Sequence, residues 1–353
     1  MSTDPAPTEV PDHDSAPLDV VAIGSALVDV LTQVTGDELH ALGLAKGSMT
    51  LVDLARSSEV YESMGPAIEV SGGSAANTAV GIAALGGSVG YVGKVAADEL
   101  GEVFLHDIKA VGVTLGRSAV DSPVDSSVNA SLDGATGRCL VLVTEDGERT
   151  MATHLGVAST LGPEDLDEAL VARARVVYLE GYLWDLDRAK TAMRRAVEVA
   201  HARDAVVALS LSDPFCVERH QREFLDLLHG EVDVLFANED EVRLLFGSSD
   251  FDGAVAAVEE TGLLAALTRG PGGSVVVSPA GPERVPAEPV AHVVDTTGAG
   301  DLYAAGFLYG LTHGREPRDC ARLGGLCAAE VISHIGARPQ ADLRQLAGQA
   351  SLL

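Results

Sequence analysis

Short runs of apolar and mostly β-branched residues recur along the chain, separated by longer amphipathic or polar stretches. Runs this short and this continuously apolar are typical of parallel strands whose two faces are both buried. Such strands need helices packed on both sides of their sheet. The pattern predicts strands at positions 20–24, 176–179, 206–211, 232–237, 264–268 and 274–277.

Two of the intervening stretches have the spacing of amphipathic helices. Apolar residues recur at near-helical intervals among charged ones over 186–202 and, in a shorter span, over 251–261. That spacing places the apolar side chains on one face of a helix, which can then cover the sheet. Alternating strands and helices predict an α/β fold built on a doubly wound, mostly parallel sheet flanked by helices.

A different pattern occupies the middle of the chain. Strand-like runs at 139–143 and 150–155 flank the turn-forming dipeptide Asp-Gly at 146–147, as in a β-hairpin. Helix and strand signals are weaker over 30–70, where we expect the partner strands. We therefore predict a small β-sheet, assembled from parts of 30–70 and 118–156, that forms a lid on the main domain.

The two ends of the chain differ from the rest in composition. Residues 1–17 are rich in Pro, Asp, Ser and Thr and lack a basic region and an apolar stretch, which predicts a disordered tail rather than a signal peptide. We assign 18–345 to one compact domain and 346–353 to a C-terminal tail. The weakly polar stretch at 75–93 is interrupted by Asn77 and by glycines, so no membrane span is expected.

Composition narrows the classes of partner. A formal net charge of -28 gives a surface that repels phosphate backbones and anionic lipid, so we expect neither nucleic acid nor a membrane as partner. The cysteines lack CxxC spacing, which argues against a zinc site and favours reduced, buried thiols in a cytoplasmic protein. They lie at four scattered positions: Cys139, Cys216, Cys320 and Cys327.

The most informative motif is DTTGAGD at 295–301, which precedes an apolar helical pattern at 302–311. Its glycines allow backbone amides to point at a phosphate, where a helix start also favours negative charge. Asp301 could cap the helix, but a glycine loop followed by a buried helix favours a general base. For Asp295, capping of a strand end or bracing of the loop explains the residue nearly as well as a catalytic role does. No P-loop motif is present, because GGSAANTAVG lacks the terminal GK[ST].

The motif DTTGAGD matches the C-terminal signature of the ribokinase-like (PfkB) carbohydrate and nucleoside kinase family. A second signature of that family is GGSAANTA at 72–79, in the expected order along the chain. The chain resembles this family over roughly 18–345. The resemblance implies an α/β core with a β lid over the acceptor, and phosphoryl transfer from ATP to a small-molecule hydroxyl.

The resemblance also implies roles for individual residues on the acceptor side. Asp301 resembles the catalytic base, and Asp29 resembles the carboxylate that binds two sugar hydroxyls, as a carboxylate's acceptor oxygens allow. The alternatives are a loop cap at Asp29 and an ordinary turn at the paired glycines. The remaining implied residues are an anion hole of Gly298, Ala299 and Gly300 and acceptor contacts at Gly72, Gly73 and Asn77.

On the nucleotide side, Asn238 and Glu241 resemble the ends of the family's NxxE motif, which organises Mg²⁺ and phosphate through water. An acidic helix start stabilised by the helix dipole is the alternative. A monovalent cation such as K⁺ at Asp295 is a further candidate. Arg149 is a candidate phosphate contact, although a solvated hairpin arginine is the default. The family's ATP-side loop has its counterpart in three residues that resemble it: Thr268, Gly270 and Gly273.

The acceptor is indicated by the segment at 211–215, which resembles the LSxPF stretch of adenosine kinases. The paired glycines are also not followed by the lysine typical of ribokinase-like members. Thr297 and Ser210 depart from the adenosine kinase pattern. We therefore expect a purine nucleoside, with adenosine first, a free sugar as the alternative and a non-catalytic binding protein as the third hypothesis. Tyr182 and Phe215 are candidate base-pocket aromatics, and a monomer and a homodimer both remain open.

Overall fold

The computed structural model describes residues 16–116, 134–146 and 148–353. The predicted disordered tail at 1–17 therefore lies outside the described residues except for positions 16 and 17. The part of the predicted lid before residue 134, and Gly147 of the predicted turn, also lie outside them.

Within the described residues, nine strands form the larger of two sheets. Seven neighbouring strands of this sheet run parallel to one another, and the other two continue one edge of the sheet in antiparallel pairs. This is the predicted doubly wound, mostly parallel sheet. Its six predicted strands lie within two residues of their predicted positions, whereas its other three strands were not predicted. In spatial order they are β14 (Gly281–Val285), β13 (Ser274–Ser278), β12 (Leu264–Thr268), β11 (Val234–Asn238), β10 (Val206–Ser210), β9 (Ala174–Glu180), β1 (Leu18–Ile23), β5 (Val89–Val92) and β6 (Thr114–Leu115).

Helices cover both faces of this sheet, as near-continuously apolar strands require. In β1, Val21 and Ile23 pack into one core layer, whereas Val20 and Ala22 pack into the other. The first layer is covered by α5 (Glu168–Val171), α6 (Asp187–His201), α7 (Pro214–Leu228), α8 (Glu239–Phe246) and α9 (Phe251–Thr261). The second is covered by α3 (Ser74–Ala84), α4 (Glu99–Ala110), α10 (Ala299–Thr312), α11 (Pro317–Val331) and α12 (Leu343–Gln349).

The strands of the smaller sheet lie within 27–72 and 137–154, which overlap the two predicted regions. Its core on one face contains Val30, Leu140 and Leu142 and is covered by the helices α1 (Gly36–Ala41) and α2 (Leu54–Ser63). The predicted hairpin is confirmed, because its two strands pair antiparallel as neighbours in this sheet. The strand order is β3 (Met49–Leu51), β8 (Arg149–His154), β7 (Gly137–Val143), β2 (Leu27–Gln33) and β4 (Ile68–Gly72).

Two details of the sequence interpretation need correction. The alternative of a loop cap at Asp29 is wrong, because only three residues separate β1 from β2 and Asp29 lies within β2. The predicted tail at 346–353 is also wrong as a boundary, because α12 runs across it. Asp342 caps this helix by accepting a hydrogen bond from the backbone amide of Gln345 at 2.9 Å.

The last residues pack against the core because they carry apolar side chains on the inner face of α12 and beyond it. Leu343, Ala347 and Leu352 are all buried in the second core layer. The four cysteines are buried as predicted. Across the described part of the chain, we find no helix with both the length and the hydropathy needed to cross a bilayer.

Candidate active site

Polar residues end four neighbouring strands of the larger sheet. Glu180, Ser210, Asn238 and Thr268 are the last residues of β9, β10, β11 and β12. Because the carboxyl ends of parallel strands meet at one edge of a sheet, these side chains lie side by side. Two adjoining cavities lie at this edge: Glu180 lines one, and Ser210, Asn238 and Thr268 line the other.

The motif at 295–301 forms the loop that leads into α10. Gly298 adopts a left-handed conformation with φ of 75°, and a Cβ atom there would lie 2.7 Å from Cβ of Ala337. A Cβ at Gly300, in contrast, would meet no heavy atom within 4 Å. The backbone of Gly298, Ala299 and Gly300 lines one of the cavities at the positive end of a 14-residue helix. This geometry suits an anion.

Asp301 lies in the first turn of α10 and is held from α3. Its Oδ1 accepts a hydrogen bond from Ser74 Oγ at 2.7 Å, and its Oδ2 accepts one from Asn77 Nδ2 at 2.8 Å. Burial raises the pKa of Asp301, while the bonds from Ser74 and Asn77 oppose that rise. A carboxylate with a raised pKa and a fixed orientation is a suitable proton acceptor.

The paired glycines let two segments approach closely. Gly73 has a φ of 95°, and a Cβ atom there would lie 2.1 Å from the carbonyl oxygen of Ser25. A Cβ at Gly72 would lie 2.3 Å from the carboxyl carbon of Asp29. Gly73 lines the first cavity together with Asn77, whereas Gly72 makes room for the Asp29 carboxylate. Within the described residues, Asn77 Oδ1 is buried without a hydrogen-bond partner.

Asp29 projects from the smaller sheet into the first cavity, and its residue is only 8% exposed. Burial raises its pKa to about 7; Arg338 opposes this, and the carboxylates of Asp301 and Asp295 add to it. The side chain is therefore a carboxyl group whose charge responds to its partners. A polyhydroxyl ligand could satisfy it.

The first cavity, which we call the acceptor cavity, has a volume of about 240 Å³. Its polar part contains Asp29, Asn77, Glu180 and Asp301. The rest is mainly apolar and comes largely from the smaller sheet and the turn after β9. These apolar lining side chains are Leu27, Met49, Leu51, Met151, Leu155 and Leu186.

The second cavity, which we call the phosphate cavity, has a volume of about 330 Å³. It contains Asn238, Glu241 and Thr268. The two cavities share the residues at their junction: Ser74, Arg149, Ser212, Gly298 and Asp301. A proton acceptor therefore lies where the contents of the two cavities would meet.

Asn238 and Glu241 form a reciprocal cap at the start of α8. Asn238 Oδ1 accepts from the Glu241 amide at 2.9 Å, and Glu241 Oε2 accepts from the Asn238 amide at 2.9 Å. Glu241 is buried, and burial raises its pKa to about 7. Carboxylate oxygens retain further lone pairs, so this pair fits contact with Mg²⁺ through water. Among the described residues, no cluster of three or more His, Cys, Asp or Glu could hold a metal directly.

Arg149 connects the smaller sheet to the loop before α10. Its Nη1 donates to Thr297 Oγ1 at 2.8 Å, its Nη2 donates to Thr296 Oγ1 at 2.6 Å, and its Nε lies 3.1 Å from Asp295 Oδ1. The prediction of a solvated hairpin arginine is therefore wrong, because a fully buried carboxylate faces the guanidinium. Arg149 also lines both cavities.

Asp295 is better matched to bracing the loop than to holding K⁺. Its Oδ1 accepts from the amide and hydroxyl of Thr297 at 2.8 and 2.6 Å, and its Oδ2 accepts from the Gly336 amide at 2.9 Å. With Arg149 as a fourth partner, the carboxylate already has a positive neighbour. A side-chain site for a monovalent cation does not fit this arrangement.

Some of the other predicted residues line one of the two cavities, and others line neither. Thr268 lines the phosphate cavity, whereas Gly270 and Gly273 belong to the turn between β12 and β13 and are not among the residues lining either cavity. Tyr182 lines the acceptor cavity. Phe215 is 66% exposed and lines neither cavity, so its prediction as a pocket aromatic is wrong.

Sequence reasoning missed two charged residues beside the acceptor cavity. Glu180 is buried and accepts hydrogen bonds from the amides of Ser25 at 3.2 Å and Ala75 at 2.9 Å, and burial raises its pKa to about 7. Its position directly after the apolar run at 176–179 was an available signal. Arg338 lies outside both motifs, and its place near the site depends on tertiary structure alone.

Comparison with known proteins decides the family. Residues 49–343 match the model of the pfkB family of carbohydrate kinases. The chain belongs to this family. It is therefore a PfkB-family sugar or nucleoside kinase, a phosphotransferase, as the resemblance predicts. The observed ribokinase-like fold agrees.

Individual relatives of this PfkB kinase carry different substrate names. It is 30% identical to an adenosine kinase of Saccharomyces cerevisiae over 91% of this chain and 96% of that protein. The crystal structure of adenosine kinase from Sinorhizobium meliloti is 48% identical, with a TM-score of 0.87 over 95% of this chain and 100% of that chain. A probable sugar kinase from Rhizobium etli is 44% identical, with a TM-score of 0.88 over 96% and 100%.

Proposed function

We propose that the chain transfers the γ-phosphoryl group of ATP to the 5'-hydroxyl of a purine nucleoside, with adenosine as the preferred acceptor, to give AMP and ADP. The observation that carries this proposal is the position of Asp301 at the junction of the acceptor and phosphate cavities. A hydroxyl in one cavity and a γ-phosphate in the other would meet beside this carboxylate. In-line placement of that kind is the main requirement of phosphoryl transfer.

Asp301 is the general base in this proposal. Its carboxylate takes the proton of the 5'-hydroxyl as the new oxygen–phosphorus bond forms and the bond from the γ-phosphorus to the bridging oxygen of ADP breaks. Ser74 and Asn77 hold the two carboxylate oxygens in place. Because burial raises the pKa of Asp301, it is a stronger base than an exposed aspartate.

The negative charge that develops on the transferring group is stabilised by the start of α10. Gly298, Ala299 and Gly300 line the phosphate cavity at the positive end of the helix dipole, which favours negative charge there. Arg149 adds a positive charge at the junction of the cavities. Mg²⁺, when bound, neutralises phosphate charge, and Asn238 and Glu241 would hold it through water.

A nucleoside suits the acceptor cavity better than a free pentose does. Asp29 would accept hydrogen bonds from the two ribose hydroxyls, and its position in the lining of the acceptor cavity supports this role. The apolar side chains of Met49, Leu51 and Met151 line the same cavity, and the hydroxyl groups of a pentose match this apolar surface poorly. A nucleobase would bury that surface, and the binding energy would help to orient the 5'-hydroxyl.

A sugar kinase is the second candidate. It is favoured by the departures at Thr297 and Ser210 from the adenosine kinase pattern and by the high identity to a probable sugar kinase. The same base and anion hole would then act on a free sugar.

We retain the cytoplasm as the proposed location, supported by four buried, unpaired cysteines.

A panel assay tests the proposal. The protein is incubated with ATP and Mg²⁺ and with purine nucleosides, pyrimidine nucleosides and pentoses in turn, and products are identified by mass spectrometry. The proposal expects AMP from adenosine and no phosphorylated product from 5'-deoxyadenosine, which lacks the reacting hydroxyl. Phosphorylation of pentoses alone would establish the sugar kinase instead.

A further inference from the structure

Arg338 follows α11 and reaches back to the glycine turn that borders the acceptor cavity. Its Nε donates to the carbonyl oxygen of Ser71 at 2.8 Å, and its Nη2 donates to Ser71 Oγ at 3.0 Å. Its Nη1 donates to the carbonyl oxygen of Ala76 at 3.0 Å. One guanidinium therefore connects the end of β4 to the first turn of α3, on the two sides of Gly72 and Gly73.

The two residues that Arg338 holds are connected to the reacting centre. Ser71 is also fixed from the other side, because its amide donates to Asp107 Oδ2 of α4 at 3.0 Å. Ala76 precedes Asn77, which donates to Asp301. A displacement of the start of α3 would therefore move a hydrogen-bond donor of Asp301.

Arg338 is also a partly buried positive charge beside both acceptor-side carboxylates, because it binds the neighbours of Gly72, which lies against Asp29, and of Asn77, which donates to Asp301. Burial lowers its own pKa to about 10, and Asp29, Asp107, Asp301 and Tyr91 oppose this. It therefore remains a cation at neutral pH. Its charge lowers the pKa of Asp29 and of Asp301, against the larger effect of burial.

Other charged and titratable groups act on the same two carboxylates. The charge of Arg149, from the smaller sheet, also lowers the pKa of Asp301. The charge of Asp301 raises the pKa of Glu180 and of Tyr178, both in β9. The charge of Asp295 raises the pKa of Asp29, and the charge of Asp29 raises the pKa of Cys139. Arg338 is the cation that acts on both Asp29 and Asp301 from the acceptor side.

We propose that Arg338 is a positioning residue for phosphoryl transfer: it fixes the Gly72–Gly73 turn against α3 and places a positive charge beside the segment that contacts Asp29 and Asp301. The inference rests on the proposed function, since it takes Asp301 as the base and Asp29 as the hydroxyl ligand. It assigns Arg338 no contact with substrate.

The test separates the charge of Arg338 from its hydrogen bonds. Arg338→Gln removes the charge and keeps a hydrogen-bonding group, whereas Arg338→Lys keeps the charge and loses the planar fork. Arg338→Met is a second uncharged variant. Arg322→Gln is the matched control, because Arg322 lies on α11, with Asp319 of the same helix 3.6 Å away. Each variant is assayed for kcat and KM from about pH 5.5 to 9, the range in which a raised carboxyl pKa titrates, with whichever acceptor the wild type phosphorylates.

The expected direction follows from the charge. Without the cation, protonation of the carboxylates is favoured, so their pKa values rise and activity is lost at higher pH than in the wild type. We expect Arg338→Gln and Arg338→Met to shift the acidic limb of kcat/KM for the acceptor upward by at least about half a pH unit. KM for ATP should change little. Arg338→Lys and Arg322→Gln should keep the wild-type limb.

An unshifted acidic limb in a folded uncharged variant would overturn the proposal, because the charge of Arg338 would then have no effect on the carboxylates. Unfolding of both uncharged variants beside a folded lysine variant would also count against it, because the charge would then be a requirement of the fold. The nucleoside assignment is tested separately. If the wild type phosphorylates a sugar and no nucleoside, that assignment fails while the pH comparison can still be made.

Discussion

Asn77 Nδ2 lies 2.8 Å from Asp301 Oδ2, although 224 positions separate the two residues in the chain. The contact joins the GGSAANTA motif at the start of α3 to the DTTGAGD motif at the start of α10. Ser74 from the same turn of α3 binds the other carboxylate oxygen. Two helix starts thus orient one carboxylate at the junction of the two cavities.

The first prediction concerns Asp301. Replacing Asp301 with Asn keeps the shape of the side chain but removes the proton acceptor, so we expect turnover to fall by at least ~100-fold. ATP binding, measured by calorimetry, and the thermal unfolding midpoint should stay near those of the wild type. Asp252→Asn, at an exposed residue of α9, is the control. A near-normal rate in Asp301→Asn would remove Asp301 from the role of base.

The second prediction separates the two substrates at Asp29. Asp29→Ala leaves two substrate hydroxyls without their charged acceptor, so acceptor binding should weaken by at least ~10-fold while ATP binding changes little. Separate calorimetric titrations with the acceptor and with ATP measure this. Asp37→Ala, on the exposed first turn of α1 in the same subdomain, serves as control. Equal weakening of both ligands would instead indicate a folding defect or a misassigned site.

The third prediction concerns the link between Arg149 and Asp295. Arg149→Met leaves the fully buried Asp295 without its positive partner, so the free energy of unfolding should fall by about 3 kcal/mol. Adding Asp295→Asn should restore much of that loss in chemical denaturation. It should not restore kcat, because the junction of the cavities would still lack its cation.

Arg284→Met provides the matched control for this pair, since Arg284 makes an exposed ion pair with Asp252. Its effect on stability should be within about 1 kcal/mol. Full recovery of kcat in the double variant would show that Arg149 contributes to the loop's structure and not to transfer.

Much of the fold was predictable because local chemistry determined it. The helix α9 was predicted with the observed bounds: Asp250 caps its start by accepting from the Gly253 amide at 2.8 Å, and Gly262 ends it in a left-handed conformation. Strand β12 was likewise predicted with its observed bounds. Both motifs at the helix starts were also visible, because glycines and polar residues break the apolar pattern there.

The missed features depend on contacts between distant segments. Arg149 looked like an ordinary hairpin arginine because its partner Asp295 lies 146 positions away. The pattern of apolar residues along the chain does not indicate a contact between such distant positions. Arg338 likewise meets Ser71 across 267 positions. The packing of Leu352 was missed because a short helix at a chain end has too weak a pattern to show what it packs against.

The central claim is that this PfkB-family kinase acts on a purine nucleoside. Its most direct test is the ratio of kcat/KM for adenosine to kcat/KM for ribose, measured in parallel at the same ATP and Mg²⁺ concentrations from the rates of AMP and ribose 5-phosphate formation. Burial of a nucleobase against the apolar part of the acceptor cavity should make the ratio at least ~10. A ratio below one would contradict the nucleoside assignment, although the phosphoryl transfer at Asp301 would stand.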